Sequence, residues 1–515
     1  MTKAKAADLK SGKIKSLEEL VEIIQKAKAE KRRVVQCHGV FDLLHPGHIV
    51  HFQEAREFGD LLVVTLTPDR FVNKGPGRPL FNEHLRLETL AAIEHIDYVA
   101  LNEWPTAIET VKRLRPDFYV KGSDYANSSD DVTGKIREEE DAVKEAGGRL
   151  VFTEGFTSSS SSLINRFFSA YPSETQEYLQ AIRDRYSADD VIGHLKSLSA
   201  LKVLVVGEAI LDQYCYCKPL GKTPKDTIVS TQYLREESFA GGSVATANHI
   251  AGFCGEVALL TTLGPDKKEE EFLRGKLRPN VRMESVRTPE RPTVRKRRFL
   301  EPNFMTKMFE VQYLDDRPIS GGPENEVLER LKTLSEECDL VIVNDFGHGM
   351  LTPKVRDFLS GCGKFLALNT QTNSANHGYN TVTNYKRADY VAIDGLELQL
   401  ASGDRYGDFR GMIGPISEKL GVKNFLVSLG REGVVMLTGH EWGQAPALAV
   451  RVVDRVGAGD ALFSLTSPCA YKGVPPELIC FIGNCVGALA VEIVCNRESI
   501  DSVGLYKFIQ TLLKK

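Results

Sequence analysis

The sequence predicts an α/β protein made of two doubly wound, Rossmann-like units, and three observations carry the prediction. Short aliphatic and β-branched runs alternate with segments of helical periodicity, the pattern of a parallel sheet with helices on its faces. The alternation breaks near Phe168 and restarts at Lys202-Val203-Leu204-Val205-Val206-Gly207. At 515 residues the chain is also too long for one ordinary core.

The elements follow in order. Residues 1–15 are Lys-rich and expected to be frayed. Residues 17–30 have helical periodicity. Strands are expected at Val34–Cys37, Leu61–Leu66, Tyr98–Ala100, Phe118–Val120 and Leu150–Phe152, with helices between them. Residues 1–167 therefore form the first domain. Residues 168–199, opened by the turn-like Ser169-Ala170-Tyr171-Pro172-Ser173, form a helical linker. Residues 200–515 form the second domain. Within it, β-like runs at 222–240 and 293–314 interrupt the alternation and predict a small appended sheet. A further strand is expected at Ala449–Val453.

Composition narrows the class of partner. A formal net charge of −4 provides no basic footprint for nucleic acid. No run of about 18 apolar residues is present, so no membrane span is expected. The N-terminal residues lack the apolar core of a secretory signal. The ten cysteines are scattered without zinc spacing, which fits reduced thiols in a cytoplasmic protein. Gly221-Lys222-Thr223 echoes the end of a P-loop, but Tyr216 stands where that loop needs glycine.

The first candidate site follows the strand at residues 34–37. Gly39-Val40-Phe41-Asp42-Leu43-Leu44-His45-Pro46-Gly47-His48 leads into a helix with apolar positions at Ile49, Phe52 and Ala55. Pro46 suits a first helical turn. A strand feeding a helix N-terminus aims backbone N–H groups at an anion. His45 and His48 then stand where they can hold phosphate oxygens. A bare histidine pair would equally suit a structural pair or half of a metal site, and the ten-residue context favours phosphate.

The second candidate site is Asp454-Arg455-Val456-Gly457-Ala458-Gly459-Asp460, followed by an apolar helix. Gly457 and Gly459 permit close backbone approach to phosphate, and the helix N-terminus supplies an anion hole. Asp460 is placed to accept a proton from a substrate hydroxyl. The competing reading is a glycine-rich turn with a capping aspartate.

Residues 17–167 resemble the nucleotidyltransferase superfamily with the signature G-x-F-D-x-x-H-x-G-H. The resemblance implies a nucleotidyltransferase fold, with His45, His48 and Lys74 acting on the nucleotide phosphates. It also implies nucleotide contacts from Gly39, Phe41, Asp42, Gly47, Arg86, Lys121, Gly122, Asp124, Ser158, Ser159 and Ser160. Lys121-Gly122-Ser123-Asp124-Tyr125 is most similar to the sugar-phosphate adenylyltransferase half of ADP-heptose synthases. Cytidylyltransferases share the histidine motif, so ATP is the expected nucleotide and CTP the alternative.

Residues 200–515 resemble the ribokinase-like (PfkB) sugar kinases, through Val206–Asp212, Phe239–Asn248, Ser428–Gly433 and Asp454–Asp460. The resemblance implies a ribokinase-like fold with a β lid, and Asp460 as catalytic base and sugar contact. It places Asp212, Gly241, Gly242 and Asn248 on the sugar. Ser428, Gly430, Gly433, Gly457, Ala458 and Gly459 fall on nucleotide and phosphate, and Glu397 on a metal indirectly. Two departures stand out. Asp394-Gly395-Leu396-Glu397 replaces N-x-x-E, and Asn369-Thr370-Gln371 replaces an Asp-Pro-Lys-like segment of heptose kinases.

Together the halves resemble the bifunctional ADP-heptose synthase type, with the transferase first, the reverse of the order familiar in that type. The expected reactions are phosphorylation of the anomeric hydroxyl of a heptose 7-phosphate-like sugar, then nucleotidyl transfer to the sugar 1-phosphate. Mg²⁺ is the expected cofactor, with a monovalent cation in the kinase half as a further expectation. The expected partners are sugar phosphates and nucleotides, and a homodimer through the kinase lid is expected. Two other readings stay open: a cytidylyltransferase fused to a kinase for another sugar or polyol, and a kinase-like domain serving as a sugar sensor.

Overall fold

The computed structural model describes residues 12–75, 77–122, 135–153 and 171–514. The chain divides into two compact units, Met1–Ala170 with Tyr506–Lys515, and Tyr171–Leu505.

In the first unit, β1 (Val34–Gly39), β2 (Leu61–Leu66), β3 (Tyr98–Leu101), β4 (Phe118–Lys121) and β5 (Arg149–Phe152) form a parallel sheet in the order β3-β2-β1-β4-β5. All six β2 residues are buried, as expected of a central strand covered on both faces. The helix Leu17–Ala29 begins at Ser16 with a capping box to Glu19 and buries Leu17, Leu20, Ile24 and Ala27. Strand order reverses between β1's two neighbours, β2 and β4. Open α/β sheets bind ligands at the carboxyl ends of strands at such a switch point. The loop leaving β1 there is the histidine segment.

The second unit carries two sheets. The larger contains β6 (Lys202–Gly207), β9 (Glu256–Leu263), β10 (Val281–Arg287), β13 (Leu340–Asp345), β14 (Phe365–Thr370), β15 (Tyr390–Asp394), β16 (Asn424–Ser428), β17 (Val434–Thr438) and β18 (Glu441–Ala445). Their order is β10-β9-β6-β13-β14-β15-β16-β17-β18, parallel up to β16 and antiparallel beyond. The smaller sheet is the lid, in the order β12-β11-β7-β8: β7 (Ala209–Lys222), β8 (Val229–Gly242), β11 (Val294–Glu301) and β12 (Thr306–Tyr313).

The lid is larger than the sequence suggests. Residues 209–222 form a full strand antiparallel to β8 and parallel to β11. Gly221-Lys222 closes β7 at the lid tip, so the P-loop echo lies in a β-hairpin. The expected strand at Ala449–Val453 does not form. Val450 and Val452 are 40% and 47% exposed, and the segment joins none of the three sheets. Its backbone meets the helix end at Val491 instead, through the N–H groups of Val453 and Asp454. Residues Ser173–Arg185 and Ala188–Lys196 are helices and group with the second unit.

Candidate active sites

The first site is built on the turn from β1 into the helix Pro46–Glu57. Phe41 takes a left-handed φ of 47° and lays its ring over Gly39, where a Cβ would stand 3.0 Å from the ring. The ring also packs against Phe52 and edge-on to His48. His45 caps the helix, its Nδ1 accepting from Gly47 N at 3.1 Å. His48 Nδ1 faces the backbone N–H of His45 at 3.4 Å. Each imidazole therefore carries its hydrogen on Nε2, and the two ring centroids lie 4.0 Å apart.

Burial, with the nearby charges of His45, His51 and Lys74, pushes His48 down to about 3. At neutral pH it is a neutral N–H donor. Lys74 is half-buried, and burial lowers its ammonium to about 8, with Asp42 opposing and Arg78 assisting.

Several residues expected at the nucleotide are used elsewhere. Asp42 is 4% exposed and accepts from Leu80 N and Phe81 N at 2.8 and 3.1 Å, with Arg78 at 3.7 Å. It braces the loop at residues 78–81. Arg86 is 1% exposed; its guanidinium donates to the carbonyls of Val40, Thr67 and Phe81 and pairs with Asp69. A group so enclosed serves as framework for the loops it joins. Lys121 pairs with Glu139 at 2.8 Å, and Gly122 follows it with open space where a side chain would stand. Asp124, Ser158, Ser159 and Ser160 lie outside the described residues.

The second site is a cavity in the second unit, lined by Asp212, Gly242, Lys296, Arg298, Gln371, Thr372, Asp394, Glu397, Ser428, Arg455, Gly457, Gly459 and Asp460. Gly457, with φ 85°, opens the helix Ala458–Tyr471 and places Asp460 in its first turn. A Cβ at Gly457 would lie 2.3 Å from Asn496 Oδ1, so only glycine fits. Asp454 ties down the approach to this turn. It accepts from Tyr214 Oη at 2.6 Å, Cys495 N at 3.0 Å and Val456 N at 3.2 Å, and pairs with Lys307.

Asp460 is 8% exposed, and Gln371 Nε2 donates to its Oδ1 at 2.7 Å. Burial first, then the charge of Asp212, raise its carboxyl to about 7, against the opposing pull of Lys296 and Gln371. Asp212 pairs with Arg298, which also reaches Glu310 at 2.7 Å. A Cβ at Gly241 would lie 2.0 Å from Asp212 Oδ2, so the bare glycine makes room for that carboxylate.

Glu397 forms a capping box with Asp394 and accepts from Thr372 N at 3.1 Å. Burial and Asp394 raise it to about 8. Among the described residues no cluster of three metal-ligating side chains occurs. Mg²⁺ commonly takes only one or two carboxylates alongside substrate phosphates, and Asp394 and Glu397 in the cavity wall fit that mode.

Gly430 and Gly433 shape the turn after β16, and Ala458 is the first helical residue; none of the three lines the cavity. Asn248 is also absent from it. Its side chain donates to Lys276 O and accepts from Arg278 N, both at 2.9 Å. Sequence reasoning missed Lys296 and Arg298. Both sit at alternate positions of β11 and face the same side, a signal readable in Val294–Arg298 once that segment is a strand.

The first unit has a nucleotidyltransferase-like α/β fold and the second a ribokinase-like fold. Residues 36–167 match the cytidylyltransferase-like family and residues 412–500 the pfkB family of carbohydrate kinases. The chain is similar to the bifunctional protein HldE of Trichlorobacter lovleyi, 41% identical over 167 residues, and to that of Geobacter sulfurreducens, 40% identical over 167 residues. Each match covers 32% of this chain and 32% of the relative, so the chain matches about a third of the length of these curated relatives. Among solved structures, Arabidopsis thaliana ribokinase is 17% identical, with a TM-score of 0.47 over 60% of this chain and 99% of that one. Escherichia coli phosphofructokinase-2 is 14% identical, with a TM-score of 0.48 over 60% and 99%. No helix among the described residues is long and apolar enough to cross a membrane.

Proposed function

We propose that the chain makes a nucleotide-activated sugar in two steps. The C-terminal unit phosphorylates the anomeric hydroxyl of a heptose 7-phosphate-like sugar phosphate with ATP. The N-terminal unit then joins a nucleotidyl group, AMP from ATP, to a sugar 1-phosphate and releases pyrophosphate.

The observation that carries the kinase reading is Asp460, a buried carboxylate at a helix N-terminus in the same cavity as Asp212. A neutral alcohol is a poor nucleophile, so the O–H proton passes to an Asp460 oxygen as the new O–P bond forms and ADP leaves. The glycine turn at 457–459 supplies backbone N–H groups to the phosphates. Mg²⁺, held through Asp394 and Glu397, would neutralise charge on the phosphates.

The transferase step needs no base. A sugar 1-phosphate oxygen is already anionic, and it displaces pyrophosphate from the α-phosphorus. His45 and His48 would donate N–H groups to phosphate oxygens while Lys74 supplies positive charge. The match to a cytidylyltransferase-like family favours CTP as the second candidate nucleotide. The exposed lid side chains Tyr233, Phe309 and Tyr313 support a homodimer through the lid, checked by light scattering. The deciding experiment offers ATP and CTP with a panel of sugar 7-phosphates and sugar 1-phosphates and identifies products by mass spectrometry. Neither a sugar bisphosphate nor a nucleotide sugar from any combination would refute the reading.

A further inference from the structure

Lys296 has an unusual place in the kinase cavity. It sits on β11 in register with Asp212 on β7, is 8% exposed, and lines the cavity. Among the described residues it makes no hydrogen bond and no close ion pair, although Asp212, Glu310 and Asp460 are near enough to act on its charge. Its neighbour Arg298 differs: that guanidinium is engaged by Asp212 and Glu310. A nearly buried ammonium without a hydrogen-bonding acceptor is costly, and it is retained where something else completes it.

His348 reinforces the same corner. It lies in the loop after β13, is 3% exposed, and neither ring nitrogen has a hydrogen-bond partner. It is close enough to Lys296 to feel the ammonium's charge. Its position is fixed by its own backbone: Phe346, His348 and Met350 N–H groups all donate to the buried Glu208 carboxylate. Lys296 thus presents an unspent ammonium to the cavity, and the unpartnered His348 ring lies close enough to interact with its charge. The backbone N–H groups suited to nucleotide phosphates come from a different element, the Gly457 turn.

We infer that Lys296, supported by His348, receives an anionic group that the sugar substrate carries away from its reacting hydroxyl, a phosphate or a carboxylate. This rests on the kinase reading above and selects acidic or phosphorylated sugars over neutral ones.

The test compares kcat/KM for five-, six- and seven-carbon sugar phosphates with the matching free sugars. Wild type should prefer the phosphorylated member. Lys296→Met should reduce that preference by about 10- to 100-fold, the size expected for one lost hydrogen bond to a charged group. Lys296→Arg should restore most of it, and His348→Gln should reduce it by less. Lys296→Gln and His348→Gln supply the comparison if Lys296→Met does not fold. An equal fall for both members of each pair would overturn the inference, by placing Lys296 on the transferred phosphoryl group. An unchanged preference would overturn it and leave the kinase reading standing, whereas a wild type that prefers free sugars would overturn it together with the sugar-phosphate substrate proposed above. No phosphorylation of any sugar by wild type would remove both.

Discussion

Gln371 Nε2 donates to Asp460 Oδ1 at 2.7 Å, just beyond the end of β14. A neutral amide orients the carboxylate and offsets only part of its burial, which leaves the group near 7. A cation in that place would hold it much lower. The kinase rate should therefore fall as pH drops through about 7. Gln371→Lys should move that midpoint toward acid by about one unit or more. The pH profile of kcat checks both.

Asp460→Asn should abolish phosphorylation and leave pyrophosphate release from nucleotide and sugar 1-phosphate intact. Loss of both activities would refute separate sites.

The same variant has a stability signature. The folded carboxyl lies above its ordinary value of 3.8, so ionisation opposes folding. Stability is fully present below about 4 and is lost as pH rises toward about 7. Asp460→Asn should thus melt a few degrees above wild type at pH 8 and lose that advantage at pH 4. Calorimetry at the two pH values decides.

His48→Ala should cost the transferase about 10²–10³ in rate and spare the kinase. Because burial holds His48 near 3, transferase activity should show no loss between pH 6 and 8 from deprotonation of this residue.

Arg86→Met tests framework against contact. Three carbonyls and Asp69 would lose their donor, at a cost of about 3 kcal/mol or more to the first unit. Urea denaturation reads that loss. Below the transition the KM for nucleotide should stay within a few-fold of wild type.

Local patterns made the two α/β units readable. β2 is a continuous buried run, residues 17–30 carry helical periodicity, and Pro46 marks a helix start. Gly457 stands out because few other residues take its backbone, and Gly39 because the Phe41 ring closes over it. What escaped was set by distance along the chain. Little that is local distinguishes Asp42 or Arg86 from ligand contacts, since apart from the Phe81 carbonyl beside Arg86 their partners lie 17 to 46 residues away. The strand at residues 209–222 is paired on one edge by its hairpin arm β8 and on the other by β11, which lies far along the chain. Residues 449–453 differ in the opposite sense: the alternation is there, but the segment joins no sheet and its end donates to the Val491 carbonyl instead.

Asn496 is placed against two glycines at once. Its Nδ2 lies 3.4 Å from where a Cβ would sit on Gly241, and its Oδ1 lies 2.3 Å from the Cβ position of Gly457. One amide thus serves as a gauge block between the end of β8 and the Gly457 turn. Changes at the three positions should be epistatic rather than additive. Gly457→Ala, inactive on its own, should regain part of its activity when combined with Asn496→Ala. The remaining deficit would report the strain of a side chain at φ 85°.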